Sequence, residues 1–254
     1  MSDIHLVKMI VDAQRLYTFA RHARLPTRDL DEGYAVHGLL MALFDHGASP
    51  EDRVAPKPFA IPLELNRRFD VWGYARLDSA ALVERAKHFG DPAAWGAVDL
   101  ASIVSKPMPQ QFAKGTKLGF SVRTCPVRRV KKRGNQQKDR AEVDVFLAKV
   151  WEVDDPSVAI DREETYREWL AVELEKAGAR LVEATLTSFQ LGRQHRRTQS
   201  EKRAGARTSH PEASFEGVLE VTEPALFSDG LARGLGRHRA FGFGMMLLKP
   251  APRG

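Results

Sequence analysis

The sequence predicts an α+β fold on three observations. Its apolar runs are mostly short enough for strands, two longer runs carry apolar residues at helical spacing, and each of those begins at an aspartate that can cap it. In the first half they alternate as strand, helix, strand, strand, helix, strand, which is the ferredoxin-like pattern.

Ile4, Leu6, Val7 and Met9 to Val11 make the first strand. Pro26 and Asp29 interrupt the next stretch. Asp31 is placed to cap a helix whose first residue, Glu32, sets a carboxylate at the positive N-terminal end, and Val36, Leu39, Leu40 and Leu43 then recur at helical spacing until Gly47. Pro56, Pro58 and Pro62 bracket a strand over Phe59 to Leu65, and Val71 to Leu77 supplies the next. Asp78 and Ser79 open a second helix that runs to Phe89, and the apolar stretch around Ile103 and Val104 closes the pattern.

The second half is less regular. Leu118 to Val130 reads as a strand, Ala141 to Trp151 and Arg162 to Ala177 as helices, and Gly178 as the C-terminal cap of the latter. Leu181 to Leu191, Phe215 to Val221 and Met245 to Lys249 have strand length and composition, with a short helix from Glu223 and Pro224 to Ala232. This order is compatible with a second, decorated copy of the first fold. No internal repeat relates the halves, so periodicity does not itself imply a duplication. The pattern thins between Met108 and Gly115, which suggests domains over 1–112 and 113–254.

With 254 residues and 43% hydrophobic content the chain can fill a core of that size. Cys125 is the single cysteine, so no intramolecular disulfide and no cysteine-based zinc site is expected, and a reducing compartment fits. The start of the chain lacks a basic segment followed by an apolar one, and no uncharged apolar run approaches the roughly 20 residues of a membrane span. A cytoplasmic protein without membrane contact is expected.

The net charge of +6 is concentrated. Arg123 to Arg140 holds eight Lys/Arg against Asp139, and Arg193 to Arg207 holds six against Glu201, while the remainder of the chain is acidic in balance. Charge gathered in this way attracts a polyanion, because each cation that neutralises a phosphate releases a condensed counterion. Two solvated loops are the plainer alternative.

Cleaving such a partner requires a metal, an activated nucleophile, or groups that move protons for a nucleophile the substrate supplies. Neither of the first two is evident. Cys125 sits in a strand-like run before Pro126, the acidic pairs Asp154-Asp155 and Glu163-Glu164 lack histidine company, and no metal or cofactor is expected. RNA offers the third route through its own 2′-hydroxyl. Among eight histidines, His37 is the best placed: Val36, Leu39, Leu40 and Leu43 share one stripe of the helix, with Tyr34 and His37 one turn apart at its edge. From position alone, the imidazole either faces a groove or merely flanks the core. Near the end of the chain, Gly234-Leu235-Gly236-Arg237-His238-Arg239-Ala240-Phe241-Gly242-Phe243-Gly244 makes a close-approach loop in which glycines clear the backbone N–H groups and Arg237 and Arg239 add charge. An ordinary glycine-rich turn is its rival reading.

Three stretches resemble the CRISPR-associated CasE endoribonucleases: Asp31 to His37, Ala55 to Phe59, and the glycine-rich run followed by Met245-Met246-Leu247-Leu248. Weaker agreement, including Phe120 to Val127, Glu142 to Phe146 and Phe215 to Leu219, spreads over nearly the whole chain. The resemblance implies tandem ferredoxin-like (RRM-like) domains and metal-independent cleavage of CRISPR repeat stem-loops in precursor RNA, in which the 2′-hydroxyl attacks to leave a 2′,3′-cyclic phosphate and a 5′-hydroxyl. It implies catalytic roles for His37 and Tyr34, and it places a groove-reading basic hairpin at Gln190 to Arg197, with Arg193, Arg196 and Arg197 as readers. Further RNA contacts are expected from Arg128, Arg129, Lys131, Lys132 and Arg133, and from Gly234, Gly236, Arg237, His238 and Arg239 in the glycine-rich loop. It also implies a place in the type I-E surveillance complex, Cascade, with no DNA contact of the chain's own. The alternative is a non-catalytic RNA-binding subunit of such a complex; an unrelated metabolic α/β enzyme with basic loops has no motif behind it.

Overall fold

The computed structural model describes residues 4–25, 31–131, 140–153, 155, 157–196 and 206–252. The chain divides into two compact units. One comprises Met1–Gln111 with Ala232–Gly234 and His238–Met245; the other comprises Phe112–Leu231 with Leu235–Arg237 and Met246–Gly254. The glycine-rich run is thus shared out between them.

In the first unit β1 (His5–Asp12) buries Val7, Met9 and Val11 on one face, as a strand with one covered side must. Asp12 then caps α1 (Ala13–His22) by accepting from the Arg15 N–H at 3.0 Å. Sequence reading passed over this helix, although Leu16, Phe19 and Ala20 recur at helical spacing and are buried. α2 (Glu32–Phe44) starts as expected, with the Asp31 carboxylate accepting from the Tyr34 N–H at 2.9 Å, and stops at Phe44 rather than Gly47. β2 (Phe59–Ala60) is two residues where seven were expected, because Pro62 offers no N–H to a ladder. β3 (Arg68–Ala75), α3 (Ser79–Phe89, capped by Asp78), the short α4 (Pro92–Trp95) and β4 (Val98–Pro107) complete the unit. Its sheet runs β2-β3-β1-β4, with each neighbouring pair antiparallel. That is the ferredoxin-like order, with a helical hairpin in the first crossover and α3 in the second. Leu39, Leu40 and Leu43 of α2 stand at the centre of the core, where truncating one to alanine costs about 2–5 kcal/mol.

The second unit repeats the plan with an insertion. β5 (Lys117–Thr124) and β6 (Val127–Lys131) divide the single strand expected over Leu118 to Val130, the break falling at Cys125 and Pro126. β7 (Arg140–Asp144) pairs with β6, so residues 141–144 are strand where helix was expected. α5 (Val145–Glu152) begins only after Asp144, whose side chain accepts from the Phe146 N–H at 2.8 Å. α6 (Arg162–Glu175) leads to Gly178 at φ +75, where a Cβ would stand 2.6 Å from the Glu223 carbonyl oxygen. β8 (Ala179–Arg196) and β9 (Ala206–Val221) form an arm longer than apolar alternation indicated, because its far end is polar and held by backbone pairing. α7 (Pro224–Arg233) and β10 (Met246–Pro250) follow, and the sheet order is β10-β5-β9-β8, again antiparallel. The tandem ferredoxin-like expectation therefore holds, with the β6–β7 hairpin and α5 inserted before α6. Among the described residues no helix is long and apolar enough to cross a membrane.

Candidate active site and nucleic-acid interface

The first unit brings together two segments that lie far apart in sequence. Tyr34 and His37 sit one turn apart on α2, and the glycine-rich run returns to them as a 3₁₀ turn over Arg239–Phe241. The Phe241 ring centroid is 5.7 Å from both the Tyr34 and the His37 rings, edge-on to the imidazole, and His238 stands 6.3 Å away on the same phenyl. Backbone geometry makes this approach possible. His238 at φ 60 and Gly242 at φ +84 bracket the turn, and Gly33 leaves the space that the Phe241 carbonyl fills.

A third segment supplies charge. The buried Asp45 carboxylate accepts from the Val54 N–H at 2.7 Å and the Ala55 N–H at 3.1 Å, and the Lys57 N–H donates to the Tyr74 carbonyl at 2.7 Å. These bonds fix Arg53 and Lys57, both exposed, near α2. Burial, joined by the positive charge of Lys57 and Arg53 and opposed by Asp45, pulls the His37 imidazole down to about 4. At neutral pH the ring is therefore uncharged and can accept a proton. Neither cation was singled out from sequence, although Lys57 lies within the Ala55 to Phe59 stretch; only the folded chain places them beside His37.

The same shift has a consequence for stability. Between pH 6.5 and about 4 the unfolded chain takes up a proton that folded His37 refuses, so stability falls as pH drops through that window and levels off below it. His37→Asn should lose this part of the slope, so that the wild type falls relative to the variant by up to about 3 kcal/mol between pH 7 and pH 4. Urea unfolding of both proteins across that range measures it, and parallel curves would show the imidazole to be freely solvated.

The expected RNA contacts divide. Arg129 is exposed on β6, whereas Arg128 on the same strand pairs with Glu152. The Gly236 N–H donates to the Glu173 carboxylate at 3.2 Å, and Arg237 pairs with Glu142 at 2.7 Å, so both are engaged by carboxylates of the second unit. Gly234 has φ +77 and no room for a Cβ beside Pro58, and Arg239 donates to the Arg233 carbonyl at 3.0 Å. Lys132, Arg133 and Arg197 lie outside the described residues. Lys131, Arg193 and Arg196 are placed in β6 and β8 by their backbone alone.

Sequence reading missed what anchors the arm. Glu212 on β9 meets Arg123 of β5 at 2.5 Å, accepts from Gln190 of β8 at 2.7 Å, and stands 3.3 Å from His210. Burial pushes this carboxyl up, but His210, Arg123 and Gln190 together bring it down to about 2. Gly192 lies against the cluster, where a Cβ would overlap the Glu212 carboxylate. Four side chains from three strands thus hold the inner part of the arm that ends in the basic segment.

A family model described as CRISPR associated protein matches residues 4–250. The chain belongs to that family. This membership bears out the resemblance carried by the three stretches. No curated protein matches this CRISPR-associated protein. Among solved structures it is similar to Thermus thermophilus Cse3 bound to an RNA representing a pre-cleavage complex, at 21% identity and a TM-score of 0.61, over 98% of this chain and 100% of that one. It is also similar to Cas6e from Escherichia coli K-12, at 17% identity and a TM-score of 0.55, over 97% and 100%. A chain of a CRISPR RNA-guided surveillance complex matches at 15% identity and a TM-score of 0.54, over 97% and 100%. These likenesses are of fold.

Proposed function

We propose that this CRISPR-associated protein is a metal-independent endoribonuclease of the CasE type that cuts CRISPR repeat stem-loops in precursor RNA to give mature guide RNA. The observation that carries the reading is the uncharged His37 ring, one turn from Tyr34 and flanked by the cations Lys57 and Arg53. His37 takes the proton of the 2′-hydroxyl, the 2′-oxygen attacks the adjacent phosphorus, and the bond from phosphorus to the 5′-oxygen breaks. The products are a 2′,3′-cyclic phosphate and a 5′-hydroxyl, the latter completed by a proton from solvent or returned by His37. Lys57 and Arg53 offset the charge that gathers on the phosphoryl oxygens, and the Tyr34 hydroxyl orients the phosphate. The first unit carries the chemistry; the β8–β9 arm, with Arg193, Arg196 and Arg197, and the basic segment of Arg128 to Arg133 hold the stem. His238, Arg239 and the Gly234 backbone lie beside the cut.

The RNA-bound Cse3 structure and the surveillance-complex chain, both of this fold, support repeat RNA and a type I-E complex as partners. The cytoplasm is the compartment this reading assigns to the protein. The test is a gel with repeat hairpin RNA. Cleavage should persist in EDTA and vanish when the nucleotide before the scissile bond lacks its 2′-hydroxyl. A cut deoxy substrate, or an EDTA-sensitive one, would exclude the mechanism, and an uncut hairpin that binds would favour the non-catalytic subunit.

A further inference from the structure

The first sheet ends where the register sets Asp12 of β1 opposite Arg68 of β3, and Val11 opposite Val98 of β4. A cavity of about 710 Å³ opens there, within the size range of small-ligand sites, and Arg15, Arg67, Arg68, Asp12, Asp99 and Gly96 are among its lining residues. Arg15 donates to the Gly96 carbonyl at 3.0 Å, which clasps α1 to the start of β4 and fixes one side of the guanidinium. Among the described residues the Arg67 and Arg68 side chains make no such hydrogen bond, although, after the Arg15 N–H bond and the Arg15 charge, the Arg67 charge helps to hold the Asp12 carboxyl below its usual range. Arg67 and Arg68 are both exposed, and among the described residues neither makes an ion pair. Farther along the same strands, Lys8 is neutralised by Asp70 at 2.8 Å, whereas at the sheet's end three guanidinium groups stand against the two carboxylates of Asp12 and Asp99. Asp12 caps α1 through its Oδ1, and Asp99 accepts from the Ala101 N–H through its own Oδ1 at 3.2 Å, so each carboxylate is held in place by one of its two oxygens. Three arginines thus line a concave site with two fixed carboxylates, and none of these residues is assigned to cleavage.

We propose that this cavity is a second RNA contact that takes one phosphate-bearing nucleotide of a single-stranded segment beside the stem. Arg15, Arg67 and Arg68 hold the phosphate oxygens, and the Asp12 and Asp99 carboxylates accept hydrogen bonds from N–H groups of the base. The carboxylates decide between ligands: they repel a bare phosphate, but they suit a nucleotide whose base carries amino or imino donors. Those donors are used up in a paired stem and available in a single strand, whose bases can turn into a concave site. The inference rests on the RNA-processing reading.

A thermodynamic cycle tests it. Affinity is measured by fluorescence anisotropy for the bare repeat hairpin and for the hairpin with an unstructured flank of about ten nucleotides on either side. Wild type is compared with Arg67→Ala/Arg68→Ala. The flank should tighten wild-type binding about tenfold and the variant's by less than about threefold. The salt dependence contributed by the flank should fall by about 0.7 in log–log slope, the share of the one single-strand phosphate that the variant no longer neutralises. An equal flank effect in both proteins, or none in the wild type while the bare hairpin still binds and is cut, overturns this inference alone. A wild type that does not bind the bare hairpin overturns the RNA-processing reading and this inference with it. A free nucleoside monophosphate that binds the wild type but not the variant, without any flank effect, assigns the site to a free nucleotide and overturns the strand reading.

Discussion

His37→Ala should reduce single-turnover cleavage of the repeat hairpin by roughly 10²- to 10⁴-fold, the span that removal of a general base usually costs, while RNA affinity changes by less than about threefold. The separation follows from where the ring sits. Its burial keeps it uncharged, so its removal takes away a proton acceptor and not a cation that grips phosphate. Positive charge stays in place on Lys57 and Arg53. The structural cost is small, because the imidazole is half-buried at the edge of the α2 stripe and its main aromatic contact is the edge-on Phe241, worth about 0.5–1.5 kcal/mol. Unfolding measured alongside the rate would reveal any larger loss. Residual cleavage within tenfold of wild type would mean that another group takes the proton, and a parallel collapse of binding would mean that His37 holds the RNA instead.

Why the edge position of His37 could be read from sequence, and its setting could not, comes down to the range of the forces involved. The Asp31 cap and the Val36, Leu39, Leu40, Leu43 stripe are local, so α2 and the edge position of Tyr34 and His37 were readable before folding. So were the Asp78 cap of α3 and Gly178 at the end of α6. The approach of Phe241 is of another kind, since it joins segments some two hundred positions apart, and nothing in either segment's periodicity points to the other. The Arg53 and Lys57 charges reach the imidazole only because Asp45 and Tyr74 tie down the chain that carries them. The Glu212 cluster escaped notice because a glutamate, a histidine and a glutamine on neighbouring strands look like solvent-facing residues until the register aligns them. Outright misreadings arose where two local rules competed. Residues 141–144 continue the helical spacing of α5 backwards, yet the pairing of β7 with β6 prevails through Asp144.

The second large effect is expected at Gly33. An alanine inside a helix is ordinarily better than a glycine by about 1 kcal/mol, so local propensity predicts that Gly33→Ala stabilises the protein. Tertiary geometry reverses the sign. A Cβ at this position would overlap the Phe241 carbonyl oxygen and stand 2.9 Å from the carbonyl carbon, and both are backbone atoms that no rotamer change can move aside. The 3₁₀ turn over Arg239–Phe241 must then shift by about 1 Å, against an overpacking cost of about 1–3 kcal/mol that exceeds the propensity gain. Phe241 leaves its place against Tyr34 and His37, and displacement of a catalytic constellation by about that distance lowers the rate on the order of 10²-fold. Gly38→Ala on the same helix is the control. Its Cβ would meet the Leu25 side chain at 3.2 Å, which can turn away, and the Phe19 ring at an ordinary contact of 3.9 Å, so it should be neutral or slightly stabilising with cleavage unchanged. Cleavage rate and urea midpoint measured on both variants settle the matter: equal behaviour would mean that the glycine-rich run does not seat on α2 in solution. If Gly33→Ala alone fails, that seating is what aligns the imidazole with its substrate.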